Sequence, residues 1–328
     1  MASRTRSESD VMIIVDDKDM TFNEPSLWQS EDSPRWYGGS SAWSSRTSLA
    51  SETFGSFSLS FQGTSIAFFG NTPSSDNLPI FSINIDSKTS SAGYPELRMD
   101  TQWYTSPILA DEPHKITLYN LDQIDVDYAI ITPGDQTPLE GTTLTVDDSN
   151  PEIVYHGVWD KQTGQQFHPG GGWADVRPLR DTTHTSGNTG DSFIFQFAGT
   201  SISVHGFLPL TPAGLFSVTF TLDGAFSLSS VFPDPAVTSD SSFDGVLIQP
   251  NCLFYKSPTL TPGNHSLLVN ITGIIGEQSF IIDYLTYTPS FTRLSERPDF
   301  GSGAAQPKSP TTMTATITTA NVKPGCNH

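Results

Sequence analysis

The stretch LTVDDSNPEIVYHGVW, residues 144–159, decides the organisation of this chain because the chain contains a second version of it. The earlier version is IVDDKDMTFNEPSLW, residues 14–28, and the shift that superposes the two Asp pairs also superposes the final Trp residues. Two further segments repeat in the same order: SFQGTSIAFFG (60–70) returns as QFAGTSISVHG (196–206), and VDYAIITP (126–133) returns as IDYLTYTP (282–289). Three matches in one order indicate a duplicated domain, and units of this length are tandem domains rather than solenoid repeats.

Short alternating segments bounded by turn residues predict an all-β fold. Residues 54–70, FGSFSLSFQGTSIAFFG, alternate apolar and small polar side chains around a turn, which is typical of a hairpin with one buried face. The chain contains 24 Pro and 26 Gly, and no stretch has the periodicity of a long amphipathic helix. We therefore predict two tandem antiparallel jelly-roll-like β-sandwiches, residues 11–135 and 142–290, followed by a disordered Ser/Thr/Pro-rich tail, residues 291–328.

The charge of the chain excludes two classes of partner. Sixteen basic against 35 acidic residues give a net charge of −19, which repels nucleic-acid phosphates and anionic lipid headgroups. No apolar run is long enough for a membrane span, so we predict no direct membrane insertion. The polar start shows no signal peptide, and the chain contains two cysteines, Cys252 and Cys326, whose pairing the sequence leaves open. Secretion or a cell-surface location is the prediction, with a cytoplasmic location as the alternative.

The motif residues of the second unit resemble those of a group of proteins abundant in mushroom-forming fungi. In that group, two jelly-roll domains of the galactose-binding-like type are commonly followed by a Ser/Thr-rich stretch and a transmembrane helix. The resemblance implies a carbohydrate-binding fold, often with a structural Ca²⁺, in a protein of a largely uncharacterised group. It rests on Val146-Asp147-Asp148, Pro151, Ile153, Tyr155, Gly157, Trp159, His184, Gly199-Thr200-Ser201 and Asp283-Tyr284.

The duplicated acidic pairs Asp16-Asp17 and Asp147-Asp148 are the candidate metal ligands. Each pair follows a short β-branched run, where carboxylates at a strand end could join backbone carbonyls around a Ca²⁺ ion. The alternative is that the carboxylates accept backbone N–H groups and cap turns. Recurrence in both units favours a shared structural task over catalysis.

Aromatic and polar loop residues are the candidate ligand-binding residues. Trp36, Tyr37, Trp43 and Trp173 lie among Gly and Ser residues, where a flat ring can stack on the apolar face of a sugar. Residues 168–184 of the second unit add His, Asp and Arg side chains that could bond to sugar hydroxyls. The alternative is that these are ordinary loop residues. The predicted set is His168, Trp173, Asp175, Arg177, His184 and Trp43.

Three function classes remain open from the sequence. Motifs for a serine nucleophile, a zinc protease or a nucleotide site are absent from the sequence, which favours a non-catalytic carbohydrate-binding or cell-surface interaction protein that recognises a cell-wall glycan. The alternatives are a glycan-active hydrolase that uses second-unit carboxylates with His184, and a structural or self-assembling surface protein. The sequence alignment places Ser48 opposite His184, so we expect the site to lie in the second unit, with Trp173 as its stacking platform. The oligomeric state is left open.

Overall fold

The fold is known from a computed structural model, which describes residues 11–44, 54–73, 80–95, 99–170, 174–233 and 245–300. Within these ranges the regular elements are antiparallel strands and short 3-10 turns, and no α-helix occurs. The predicted all-β fold is confirmed.

The strands of the first unit are β1 (Met12–Asp16), β2 (Thr21–Asn23), β3 (Trp28–Asp32), β4 (Ser40–Ser44), β5 (Gly55–Gly63), β6 (Ser65–Gly70), β7 (Ile80–Ile85), β8 (Lys88–Gly93), β9 (Thr101–Thr105), β10 (Glu112–Leu121), β11 (Asp125–Val126) and β12 (Tyr128–Thr132). Those of the second unit are β13 (Thr143–Asp147), β14 (Val154–His156), β15 (Asp160–Thr163), β16 (Thr182–Ser186), β17 (Ser192–Pro209), β18 (Gly214–Leu222), β19 (Phe226–Phe232), β20 (Ile248–Lys256), β21 (Gly263–Gly276) and β22 (Phe280–Pro289). The 3-10 turns span Asp17–Asp19, Pro25–Leu27, Tyr37–Gly39, Leu179–Asp181 and Leu294–Glu296.

One sheet runs through both units. Its strands follow the order β20-β17-β22-β13-β1-β12-β6-β9, and the two units meet where β1 pairs with β13. In that pair Ile13 lies opposite Leu144, and these two residues are equivalent in the sequence repeat. Two equivalent strands that pair antiparallel about equivalent residues are related by a local two-fold axis. The boundaries at 11–135 and 142–290 stay a prediction, but the two units share backbone hydrogen bonds.

Each unit places a second sheet against its half of the shared one. In the first unit this second sheet has the order β2-β5-β10-β7-β8. In the second unit the long strand β17 belongs to both layers: residues 192–199 pair with β21, whereas residues 201–207 pair with β22. The layers enclose an aromatic core, in which the rings of Phe57 and Phe68 lie 5.1 Å apart and both are fully buried.

The duplicated tryptophans are packing residues, as the sequence indicated. Trp28 contacts Phe57 at a ring-centroid distance of 6.1 Å, and Trp159 contacts Phe193 at 6.0 Å. Phe57 and Phe193 are equivalent in the repeat, so the same edge contact is made twice. Both tryptophans lie partly buried at the margin of the core.

A duplicated histidine clamp ties a hairpin turn to the start of the long strand in each unit. His114 bonds to the Asp86 carboxylate through Nδ1 at 2.5 Å and to the Ala110 carbonyl through Nε2 at 2.8 Å. His265 makes the same pair of bonds, to Asp223 and Thr261. Burial opposes the charged form of His114, but the bonds to Ala110 and Asp86 raise its pKa.

Loss of one clamp should measurably destabilise the fold. We expect His114→Ala to lower the free energy of unfolding by about 2 kcal/mol, because it removes two hydrogen bonds, one of them to a carboxylate. Denaturant unfolding followed by tryptophan fluorescence measures the change. Lys115→Ala, at the exposed neighbouring position, is the matched control. An equal loss in the two variants would contradict the role of the clamp.

The chain beyond β22 continues to pack on the second unit. Phe291 is 8% exposed and belongs to the core, and Arg297 donates a hydrogen bond to Glu152. The first ten residues of the predicted tail are therefore part of the fold, because they carry apolar and charged groups with partners there. Residues 301–328 lie outside the described residues.

Cys252 is buried and disulfide-bonded, and Cys326 lies outside the described residues. No helix in the described ranges is long and apolar enough to span a membrane.

Candidate functional site

Two short segments, one from each unit, cross the junction and form its main surface features. We call residues 33–39 the first arm and residues 175–181 the second arm. Each arm ends in a 3-10 turn immediately before an equivalent strand, β4 or β16. Both turns contain two successive residues of positive φ, Gly38-Gly39 in the first arm and Arg180-Asp181 in the second. The glycines adopt this conformation without strain, whereas Arg180 and Asp181 need surrounding contacts to hold it.

The repeated Asp-Tyr motif supplies the contact that holds each arm. The amide N–H of Leu179 donates to the Asp283 carboxylate at 2.9 Å, and that of Tyr37 donates to the carboxylate of Asp127. Asp127 and Asp283 are 2% and 5% exposed. A buried carboxyl that bonds a backbone N–H fixes where the chain leaves the sheet. This repeated motif therefore positions the arms.

Each arm then packs on the other unit. Leu179 of the second arm is buried in a cluster with Ala67, Phe69 and Ile130 of the first unit. On the other side, the ring of Tyr37 lies 6.0 Å from the ring of His205 in the second unit. The junction is therefore a mutual exchange of arms across the two-fold axis, in addition to the shared sheet.

The exchange creates two clefts that are equivalent in the repeat. The first cleft has a volume of about 720 Å³, and residues 177–181 of the second arm cover strands β1, β6, β9 and β12 of the first unit. Its floor includes Phe69 and Gln102, which lie opposite each other on β6 and β9. Its polar groups also include Asp100, Arg177 and Asp181.

The second cleft has a volume of about 560 Å³, and the first arm covers strands β17 and β20 of the second unit. Its floor includes His205 and Leu253, which lie opposite each other and occupy the places of Phe69 and Gln102. Asn251 and Lys256 complete the polar lining at the floor, and Asp32 lies at the rim.

Four of the six predicted ligand residues lie in three separate hydrogen-bonded pairs. His168 bonds to Asp175 at 2.9 Å, with both side chains about half exposed, and Arg177 bonds to Asp181 at 3.1 Å. His184 bonds to Asp148 at 2.5 Å. Among the described residues no hydrogen bond or ion pair joins these three pairs to one another. Arg177 lines the first cleft, whereas His168, Asp175 and His184 line neither cleft.

His184 is held inside the second unit. Its ring stacks on Tyr155 at 4.1 Å between centroids, and its side chain is 12% exposed. In the register of the sheets, its counterpart in the first unit is Ala42, because both residues pair with equivalent positions, Ile282 and Val126. The alignment with Ser48 is therefore wrong. It failed because the loop before β4 and the loop before β16 differ in length.

The predicted aromatic platforms have mixed outcomes. Trp173 lies outside the described residues. Trp43 was expected in a loop but lies on strand β4, where it pairs with Gln29 and Asp125. Trp36 is only 2% exposed, with the guanidinium of Arg35 4.2 Å from its ring, so it forms a wall rather than a face for stacking. Tyr37, half-buried, keeps its ring at the second cleft.

Three of the four predicted metal ligands accept hydrogen bonds inside the fold, whereas the buried Oδ1 of Asp17 has no hydrogen-bond partner in the described part of the chain. Asp16 accepts the amide N–H of Lys18 at 3.2 Å, and Asp147 accepts that of Ser149 at 3.0 Å. Asp148 accepts hydrogen bonds from Thr182 as well as its bond to His184. These are the turn-capping contacts of the alternative interpretation. Within the described ranges no group of three or more acidic, His or Cys side chains is arranged to hold a metal, and Ca²⁺ stays a prediction.

Carboxyl groups around the arms are buried with few partners. Burial raises the pKa of Asp17 to about 8, of Asp125 to about 7 and of Asp100 to about 6. The pKa values of Asp127 and Asp283 also lie well above the usual range, chiefly because of burial. Burial therefore favours the neutral form of all five carboxyl groups, and Asp17 is mostly protonated at pH 7.

Neither cleft was predicted from the sequence. The Asp-Tyr repeat and the loop aromatics were found there but were assigned no joint role, because the arms act on the unit to which they do not belong. The adjacent glycines at 38–39, just before a predicted strand, were the available signal for an unusual turn.

Comparison with known proteins gives limited similarity. No family model matches the chain. The chain is 28% identical over 183 residues to an A type blood alpha-D-galactosamine galactosaminidase of Flavonifractor plautii, and the match spans 55% of this chain but 14% of that protein.

Among solved structures, a Paenibacillus xanthan lyase is similar at 13% identity and a TM-score of 0.29, over 88% of this chain and 27% of its own. The tandem CBM22-1-CBM22-2 domain of Paenibacillus barcinonensis Xyn10C is similar at 9% identity and a TM-score of 0.25, over 88% of this chain and 99% of its own. Similarities at these TM-scores carry no functional argument.

Proposed function

We propose that this chain is a non-catalytic carbohydrate-binding protein and that the first cleft is a saccharide site. The observation that carries the proposal is the lining of the cleft. Phe69 and Ile130 form an apolar floor. Arg177 supplies hydrogen-bond donors, Asp181 supplies acceptors, and Gln102 supplies both. A sugar presents C–H faces and hydroxyl groups that match such a mixed lining.

The similarity to a galactosaminidase supports a carbohydrate ligand. The match spans 14% of that enzyme, so it supports a carbohydrate ligand and not the activity of the whole enzyme. On the same proposal the chain belongs with the fungal tandem jelly-roll proteins that it resembles, and acts outside the cell or at its surface.

The candidate hydrolase residues do not support catalysis at His184. A general acid and a second carboxylate must face one substrate bond. Instead, Asp148 and His184 bond to each other, and Glu152 accepts a hydrogen bond from Arg297. The burial of His184 and Asp148, whose side chains are 12% and 0% exposed, supports the non-catalytic proposal.

A glycan panel separates the three function classes. We expect retention of at least one fungal or plant glycan without release of product. Product release would instead establish the hydrolase, and neither retention nor release would leave the structural or self-assembling class.

Arg177→Ala tests whether the first cleft is the site. We expect it to weaken glycan binding by about 1 kcal/mol, because Arg177 lines the cleft and donates to sugar oxygens in the proposed complex. Arg293→Ala, an exposed position outside both clefts, is the control and should leave binding unchanged. Isothermal titration with the retained glycan measures both. Equal affinity of Arg177→Ala and the wild type would place the glycan elsewhere.

Trp173→Ala tests the stacking platform predicted from the sequence. We expect a loss of about 1 kcal/mol in binding from the missing ring contact, with an unchanged unfolding temperature. The same titration measures the loss, with Trp43→Ala for comparison. Loss of binding in Trp43→Ala but not in Trp173→Ala would show that the wrong tryptophan was chosen.

A further inference from the structure

At two equivalent floor positions the second cleft carries a more positive group than the first. Asn251 occupies the place of Asp100, and both residues adopt positive φ, at 54° and 44°. Lys256 occupies the place of Thr105, because Lys256 pairs with Ser203 as Thr105 pairs with Ala67. An amide replaces a carboxyl and an ammonium replaces a hydroxyl. The cations of the first cleft, Arg177 and Arg180, lie on the second arm, whereas the cation of the second cleft, Lys256, lies on its floor.

The cation of the second cleft is available to a ligand. Lys256 is exposed at the cleft and, among the described residues, no ion pair joins it to Asp32 at the rim or to another carboxylate. In the first cleft Arg177 is bonded to Asp181, and the exposed Arg180 is a second cation. A cation without a carboxylate partner attracts an anionic group from solution.

Beside Lys256, Asn251 offers a neutral hydrogen-bonding group on the floor, and His205 is uncharged. Asn251 accepts the hydroxyl of Tyr284 through Oδ1, which leaves its amide N–H₂ for other partners. His205 is 6% exposed, and its Nδ1 is buried without a hydrogen-bond partner in the described part of the chain. Burial, and then the charge of Lys256, lower the pKa of His205 to about 3, so the ring is neutral. The ring therefore adds no charge to the floor of the cleft.

We propose that the second cleft binds a carboxylate-bearing saccharide, with the sugar carboxylate on Lys256. The amide of Asn251 donates to a sugar oxygen, the Asp32 carboxylate accepts from hydroxyl groups at the rim, and the ring of Tyr37 faces the sugar ring. This site is separate from the first cleft. The inference rests on the proposed function, because it assigns a saccharide to the second cleft as well.

Titration with two matched sugars tests the inference. The probes are trigalacturonate and the neutral trigalactoside of the same linkage, titrated into the full chain at low ionic strength. We expect trigalacturonate to bind at least tenfold more tightly than the neutral sugar, and its affinity to fall with added salt. Equal affinities for the two sugars would overturn the inference.

Variants locate the charged contact. Lys256→Gln should weaken trigalacturonate binding at least tenfold, and Lys161→Gln, an exposed lysine on β15, should not change it. Asn251→Asp places the first-cleft residue in the second cleft and should weaken binding similarly, while it keeps an oxygen that accepts the Tyr284 hydroxyl. This second variant tests the inference even if Lys256→Gln fails to fold.

Arg177→Ala separates this inference from the proposed function. It should leave trigalacturonate affinity unchanged. If Arg177→Ala weakens trigalacturonate binding and Lys256→Gln does not, the charged sugar lies in the first cleft, and the inference for the second cleft is overturned. If Arg177→Ala abolishes binding of the neutral glycan and only Lys256→Gln weakens trigalacturonate binding, both the proposed function and this inference are supported.

Discussion

Asp283→Ala is expected to lower the free energy of unfolding by about 3 kcal/mol and to abolish saccharide binding in the first cleft. Asp283 is 5% exposed and accepts the Leu179 amide at 2.9 Å, so alanine leaves a buried N–H without a partner. Loss of a buried hydrogen bond of this kind, together with the cavity, costs on the order of 3 kcal/mol. Leu179 packs the second arm on the first unit, so releasing its amide displaces the arm that covers the first cleft.

Asp283→Asn is the matched control. Burial, followed by the charges of Asp148 and Asp147, raises the pKa of Asp283 and so favours its neutral form. Asparagine keeps the accepting oxygen and the neutral charge, and stability and binding should both remain close to those of the wild type. Denaturant unfolding and glycan titration of the same preparations measure the two effects. Intact binding in Asp283→Ala would show that the arm does not need this anchor.

Asp127→Ala provides the reciprocal comparison in the first unit. Asp127 holds the Tyr37 amide as Asp283 holds that of Leu179. Its replacement should release the first arm and so weaken trigalacturonate binding in the second cleft, while the first cleft keeps its own anchor. Identical binding defects in the two alanine variants would instead indicate general unfolding of the junction.

The second large effect is a loss of stability as the pH rises. Asp17, Asp125 and Asp100 have pKa values raised by burial to about 8, 7 and 6. The unfolded chain releases these protons near pH 4. Between that pH and each folded pKa, the folded state binds more protons, so the free energy of unfolding falls as the pH rises, by up to about 1.4 kcal/mol per unit and group.

Two other carboxyl groups, Asp86 and Asp191, have lowered pKa values and affect stability at lower pH. The hydrogen bond from the Lys115 amide, followed by the one with His114, lowers the pKa of Asp86. Burial alone would raise the pKa of Asp191, but hydrogen bonds from Ser186, the Val158 amide and Asn188 lower it below its usual value. The stability from such groups is present above the unfolded pKa and is lost as the pH falls through the folded one. Maximal stability is therefore expected near pH 4 to 5.

Thermal unfolding across pH measures this effect. We expect the unfolding temperature to fall by about 5 °C or more between pH 5 and pH 8, at roughly 2 to 4 °C per kcal/mol for a chain of this size. Asp17→Asn mimics the protonated acid and should flatten the profile and raise the unfolding temperature at pH 8. Asp135→Asn, at an exposed position, is the control. A profile that rises from pH 5 to pH 8 would contradict the buried-acid interpretation.

Local pattern determined the strands, the duplication and the packing residues. The alternation of residues 54–70 places Phe57 and Phe68 on buried faces because side chains alternate along a strand whatever lies around it. The repeat of Trp28 at Trp159 indicated a shared packing role for the same reason: equivalent neighbours, Phe57 and Phe193, recur with it. Such information is carried by residues that are near each other in the chain.

The function of the arms was decided by tertiary structure alone. The sequence shows that Asp127 and Asp283 are equivalent, but not that each anchors a segment that reaches across to the other unit. Nor does it show that His205 faces Tyr37, since those residues meet only when β1 pairs with β13. That pairing joins strands far apart in the chain, so its register depends on the faces that both units bury and not on any local signal.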